Sequence, residues 1–109
     1  RFSELMEGYF QSGRNIKLVV QLVDMRHKPS ADDIGMISFL NEFNLPYIIV
    51  LTKADKLKKK EYAARLSAMP QELGNPNVPI IPFSSQNGLG VDEVKRAIEK
   101  SFDIQEDIL

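Results

Sequence analysis

Two apolar runs constrain this chain more than anything else in it. Ile16 to Val23 and Tyr47 to Leu51 are short, rich in β-branched residues and bounded by polar or turn-forming residues. Runs of this length fit strands covered on both faces better than helices. The stretch between them changes period. Ser30 opens it with Asp33 three residues later, a capping-box pattern with Asp in place of the usual Glu. Ile34, Met36, Ile37, Phe39, Leu40 and Phe43 supply the buried face of a helix that Asn44 and Pro46 close.

The remaining segments continue the alternation. Phe2, Leu5, Met6, Tyr9 and Phe10 recur at helical spacing, which predicts a helix over 2–12 stopped at Gly13. From Lys58 a second helical pattern runs through Tyr62, Ala63, Leu66 and Met69. Pro70 lacks an N–H and clashes with the preceding turn, so it is expected to break this helix, with a separate short turn from Pro70 to Leu73. Ile80 to Phe83 reads as a third strand, and Pro82 argues that it lies at a sheet edge. Val91, Val94, Ala97, Ile98 and Phe102 mark a last helix with an apolar core face. A tail carrying Asp103, Glu106 and Asp107 is expected to be solvated.

The order α-β-α-β-α-β-α implies right-handed crossovers and a three-layer, doubly wound parallel α/β sheet. The first strand is too apolar for an exposed edge, so it is expected to pair with a strand outside this chain. The chain opens on Arg1 directly into a helical pattern, which reads as one piece of a longer protein. At 109 residues it is at most one domain. A net charge of −1 gives no general attraction to nucleic acid or membrane. No apolar run approaches the ~20 residues that span a bilayer. With no cysteine and no secretion signal, disulfides and thiolate metal sites are excluded, and the cytosol is the expected compartment. A single histidine makes a histidine-rich zinc site untenable.

Chemistry concentrates where the strands end. Thr52-Lys53-Ala54-Asp55 follows the second strand directly, at the carboxyl end where open α/β sheets bind ligands. A carboxylate there can accept two hydrogen bonds from the N1–H and 2-amino group of guanine, and the flat stem of a lysine can cover the base. A second loop, Ser84-Ser85-Gln86 followed by Asn87-Gly88-Leu89-Gly90, leaves the third strand.

This pair of loops resembles the base-recognition motifs of Ras-like GTPases, N/T-K-x-D and S-A-K/x. The resemblance implies that Asp55 reads the base, the Lys53 stem stacks on it and the Ser85 N–H meets the guanine carbonyl. It implies that Ser84 braces the Asp55 loop and that Thr52 ties it to a phosphate loop. Gln86 stands where many members carry lysine. A narrower resemblance rests on Asp24-Met25-Arg26-His27-Lys28-Pro29, Asp32-Asp33, Leu45-Pro46, Thr52 to Lys56 and Phe83-Ser84-Ser85. This set is similar to the EngB/YsxC family of ribosome-biogenesis GTP-binding proteins. Residues 1–109 would then be the C-terminal part of one GTPase domain, with guanine-recognition loops 52–56 and 84–90. The phosphate-binding G-x-x-x-x-G-K-[ST] pattern is not in these residues. The resemblance therefore implies GTP and GDP as ligands, Mg2+ only in the complete domain, and no catalytic or metal-binding residue and no hydrolysis in this chain alone. It also implies a role in large ribosomal subunit assembly and normal cell division, with the large subunit or its rRNA as partner.

Other residues carry two readings each. Arg26 and His27 fit a structural loop, with His27 hydrogen-bonded to backbone, or a partner contact. Lys58, Lys59 and Lys60, with Lys56, fit a solvated face. They also sit near a helix start, where cations oppose the macrodipole at a cost of ~0.3–1 kcal/mol, which leaves room for an RNA-phosphate contact. For the whole chain, a different translation-factor-type GTPase or a non-enzymatic α/β interaction module are the alternatives.

Overall fold

The structure, a computed structural model, describes residues 17–108, with side chains through Phe102. The helix expected over 2–12 lies outside the described residues. Three strands form one parallel sheet in the order β1-β2-β3: β1 Val19–Asp24, β2 Tyr47–Thr52 and β3 Ile80–Pro82. Helices α1 (Ala31–Glu42), α2 (Lys59–Glu72) and α3 (Val91–Ile108) alternate with them. The pairing runs Val19↔Tyr47 to Asp24↔Thr52 and Ile49↔Ile80 to Leu51↔Pro82. All three strands therefore end at one edge, and the loops after them share that edge.

Period-2 alternation sends the side chains of β2 to two different cores. On one face Tyr47, Ile49 and Leu51 pack with Val23, Met25, Ile37, Leu40, Met69 and Leu73, under α1 and α2. On the other, Ile48, Val50 and Ile81 meet Val94 and Ala97 of α3. The molecule is thus three-layered, as the alternation of elements requires. Leu40, Ile49, Leu51 and Met69 are essentially inaccessible, and burying each contributes ~1.5–3 kcal/mol.

The capping box at α1 forms in both directions. The Asp33 N–H donates to Ser30 Oγ at 3.1 Å, and the Ser30 N–H donates to Asp33 Oδ2 at 3.0 Å. Pro70 does not break α2, contrary to the sequence expectation; one helix runs through it to Glu72. The missing N–H deletes a single bond in the last turn. Met69 and Leu73, both buried against the sheet, hold that turn in place.

The apolar faces are narrower than their composition suggests. Strand β1 is not covered on both sides: Val20 is 37% and Leu22 58% exposed, on the face they share with Ile48 and Val50 of β2. Ile34 of α1, Phe43 just after it, and Ile98 and Phe102 of α3 are likewise exposed. Phe43 still lies 4.6 Å from the Phe39 ring, centroid to centroid, and the Lys17 ammonium sits 5.7 Å from the Phe102 ring. Residues 103–108 continue α3 rather than forming a tail. Strand β3 is an edge strand among the described residues, which accommodates Pro82.

Candidate functional site

Strand β2 delivers Thr52 and then turns sharply. Lys53 occupies the left-handed region at φ 67°, and Ala54–Lys56 form a single 3-10 turn. A non-glycine residue held there costs ~1–2 kcal/mol, and such conformations concentrate at ligand-binding loops. Ala54 is buried and its N–H donates to the Phe83 carbonyl at 3.3 Å, so the turn is pinned to the end of β3. Lys53 is left exposed and Asp55 half-buried.

Ser84 joins the two loops. It is the one buried polar side chain among the described residues. Its hydroxyl donates to Asp55 Oδ1 at 2.9 Å and accepts from the Gln86 N–H at 3.1 Å and the Asn87 N–H at 3.3 Å. A hydroxyl has one proton and two lone pairs. With both lone pairs engaged by N–H donors, the proton has one direction left, toward Asp55. The carboxylate is thereby fixed across 29 residues of sequence. Among the described residues its other oxygen, Oδ2, is met only by the exposed Lys56 ammonium, at 3.9 Å. Among the described residues the Ser85 N–H has no acceptor. Acceptors on Asp55 and a donor on Ser85 thus stand beside one another at the sheet's carboxyl edge. That set suits the amide-like edge of guanine, which presents donors at N1 and the 2-amino group beside a carbonyl acceptor.

Gly90 holds the second loop close to the sheet. It has φ 76°, and a Cβ placed on it would collide with the Pro82 carbonyl oxygen. Only glycine lets α3 start this near the end of β3.

The other candidate residues lie on the same edge of the sheet, Thr52 and Gln86 within the two loops and the rest outside them. Thr52 donates its hydroxyl to the Val23 carbonyl at 3.4 Å, so it ties the loop to β1. Gln86 is exposed and contributes its N–H to Ser84. Arg26 pairs with Asp24 through Nη2 at 2.8 Å and Nε at 3.1 Å. That hydrogen-bonded guanidinium holds the Asp24 carboxyl below its ordinary range, and the Arg26 value is correspondingly raised. The His27 carbonyl accepts from Arg65 Nη2 at 2.8 Å, while among the described residues its imidazole makes no hydrogen bond. Lys58, Lys59 and Lys60 are exposed at the start of α2, where Glu61 accepts from the Lys58 N–H at 3.2 Å.

Two groupings escaped the sequence reading. Arg65 donates to the carbonyls of Met25 and His27 and forms a two-pronged ion pair with Glu72 at 2.7 and 3.2 Å. This clamps the loop after β1 onto α2. The i, i+7 spacing of Arg65 and Glu72 puts them on one helix face, but nothing local marks the carbonyls they enclose. The second is Asn87, whose Oδ1 accepts from the Leu89 N–H at 3.0 Å; Asn before Gly signals a turn and no more. Among the described residues, no group of three His, Cys, Asp or Glu is placed to hold a metal ion, so no Mg2+ site is derived from them. No helix among them is long and apolar enough to cross a membrane.

Fold and loops together define a P-loop GTPase-type domain fragment, and comparison with known proteins agrees. The family model of the elongation factor Tu GTP binding domain matches residues 2–103, and the chain belongs to that family. Within it, the chain is similar to proteins named "Probable GTP-binding protein EngB". That of Desulfitobacterium hafniense is 39% identical over 100 residues, covering 91% of this chain and 50% of the relative. That of Exiguobacterium sibiricum is 42% identical over 98 residues, covering 89% and 51%. The chain thus spans about half the length of these curated relatives. Among solved structures, apo elongation factor SelB of Methanococcus maripaludis has a TM-score of 0.68 at 32% identity, covering 81% of this chain and 20% of that one. A probable GTP-binding protein engB also has a TM-score of 0.68, covering 91% and 63%; at 22% identity it shows the shared fold alone.

Proposed function

We propose that this chain is the base-recognition part of a guanine-nucleotide-binding domain. Asp55 reads N1–H and the 2-amino group, Lys53 covers the base, and the Ser85 N–H meets the guanine carbonyl. Ser84 fixes Asp55, Thr52 anchors the loop to β1, and Gln86 borders the base. The observation that carries this reading is the 2.9 Å bond from Ser84 Oγ to Asp55 Oδ1, which fixes the carboxylate of one loop from the other. The chain is read as the C-terminal part of one such domain, with phosphate and Mg2+ binding assigned to sequence it does not include. It is accordingly assigned no GTP hydrolysis of its own; phosphate release by the purified chain would contradict that. By likeness to the EngB proteins, the complete protein is assigned to the cytoplasm and to large ribosomal subunit assembly, with consequences for cell division. Arg26, His27 and Lys58 to Lys60 are its candidate contacts with the subunit.

Asp55→Asn tests the base assignment. An amide donates where the carboxylate accepted, so it suits the C2 oxygen of xanthine. Hydrogen bonds to a charged acceptor are worth ~1.5–3 kcal/mol each. Guanine-nucleotide affinity should therefore fall by roughly tenfold or more, while that for the xanthine analogue rises. An unchanged guanine preference would refute the assignment.

A further inference from the structure

Asn87 belongs to no motif that assigns it a role, and its side chain points back into the loop. Its Oδ1 accepts from the Leu89 N–H at 3.0 Å. The carbonyl of the same Leu89 accepts from the Ser84 N–H at 3.0 Å, and the Ser84 carbonyl accepts from the Gly88 N–H at 3.0 Å. Asn87 also donates its own N–H to Ser84 Oγ. Leu89 is thus held at its N–H by the Asn87 carboxamide and at its carbonyl by Ser84. Asn87 reaches Ser84 by two routes, one through Leu89 and one through its own N–H. Ser84 in turn has one proton, directed at Asp55 Oδ1. Gly88, between Asn87 and Leu89, has φ 82°, and a Cβ placed on it would meet no other atom.

We infer that Asn87 is a positioning residue for base discrimination: its carboxamide sets the Ser84 hydroxyl, and through it the Asp55 carboxylate, against the 2-amino edge of guanine. This rests on the reading of Asp55 given above. An alanine at 87 leaves Leu89 free to turn. The Ser84 N–H then loses a fixed acceptor, and the turn that holds the Gln86 and Asn87 N–H groups on the hydroxyl loses its side-chain brace. An aspartate keeps an acceptor oxygen at the same reach, so it should restore the turn.

The test is an NMR titration, with GDP and with IDP, which lacks only the 2-amino group, of the complete domain that contains this chain. It is run on the unsubstituted domain, Asn87→Ala and Asn87→Asp, with melting curves alongside. The GDP-over-IDP preference should fall about three- to tenfold in Asn87→Ala, the scale of one net hydrogen bond. Asn87→Asp should stay within about twofold of the unsubstituted domain. A merely structural role would weaken GDP and IDP equally, and that equal loss would overturn the inference while leaving the base reading intact. If the unsubstituted domain shows no preference for GDP, the base reading itself fails and the inference falls with it. Should Asn87→Ala melt before it can be titrated, Asn87→Leu, of similar size but with no acceptor, gives the same comparison.

Discussion

At the scale of single residues, the site works by exhausting alternatives. The Ser84 hydroxyl points at Asp55 because its two lone pairs are taken by Gln86 and Asn87. The same logic organises the Arg65 clamp, where a planar guanidinium meets two carbonyls and a carboxylate at once. The Arg65 hydrogen bond holds the Glu72 carboxyl below its ordinary value. A group with a depressed folded-state value binds fewer protons folded than unfolded. Its stabilising contribution is therefore present above the unfolded value and lost as pH falls through the folded one. Melting temperature should drop between about pH 5 and pH 3, and Glu72→Gln should remove part of that drop while lowering stability near neutrality. A Glu72→Gln chain with an unchanged acid limb would show that the clamp contributes nothing to folding.

At the scale of elements, what could be read in advance was what local patterning determines. The Ser30–Asp33 capping box, strand β2 and the start of α2 near Lys58 follow from caps and periodicity. Three features depend on what lies across the fold. Pro70 stays helical because Met69 and Leu73 are anchored by the sheet, a tertiary effect that overrides propensity. Val20 and Leu22 look like core residues by composition, yet their exposure depends on what packs over that face of β1. Arg65 encloses carbonyls 38 and 40 residues away, and no spacing rule reaches that far. The base loops were legible for the opposite reason: a strand end followed by a fixed set of donors and acceptors is a local signal. What remained hidden there was Asn87, because a turn residue that serves a ligand looks like any other turn residue.

At the scale of the whole molecule, the parallel register brings the loops after β1, β2 and β3 to one edge, and the chemistry follows from that convergence. The opposite end of the sheet carries no comparable cluster among the candidate residues. The central claim is that this edge reads guanine through the loops at Asp55 and Ser85. The most direct measurement is an amide NMR titration of the complete domain that contains this chain with GDP and, separately, ADP. The account predicts saturating shifts for GDP centred on Lys53 to Asp55 and Ser84 to Asn87, with ADP far weaker, because adenine lacks the N1–H and leaves the carboxylate unpaired. Equal responses to GDP and ADP, or shifts that avoid both loops, would contradict it.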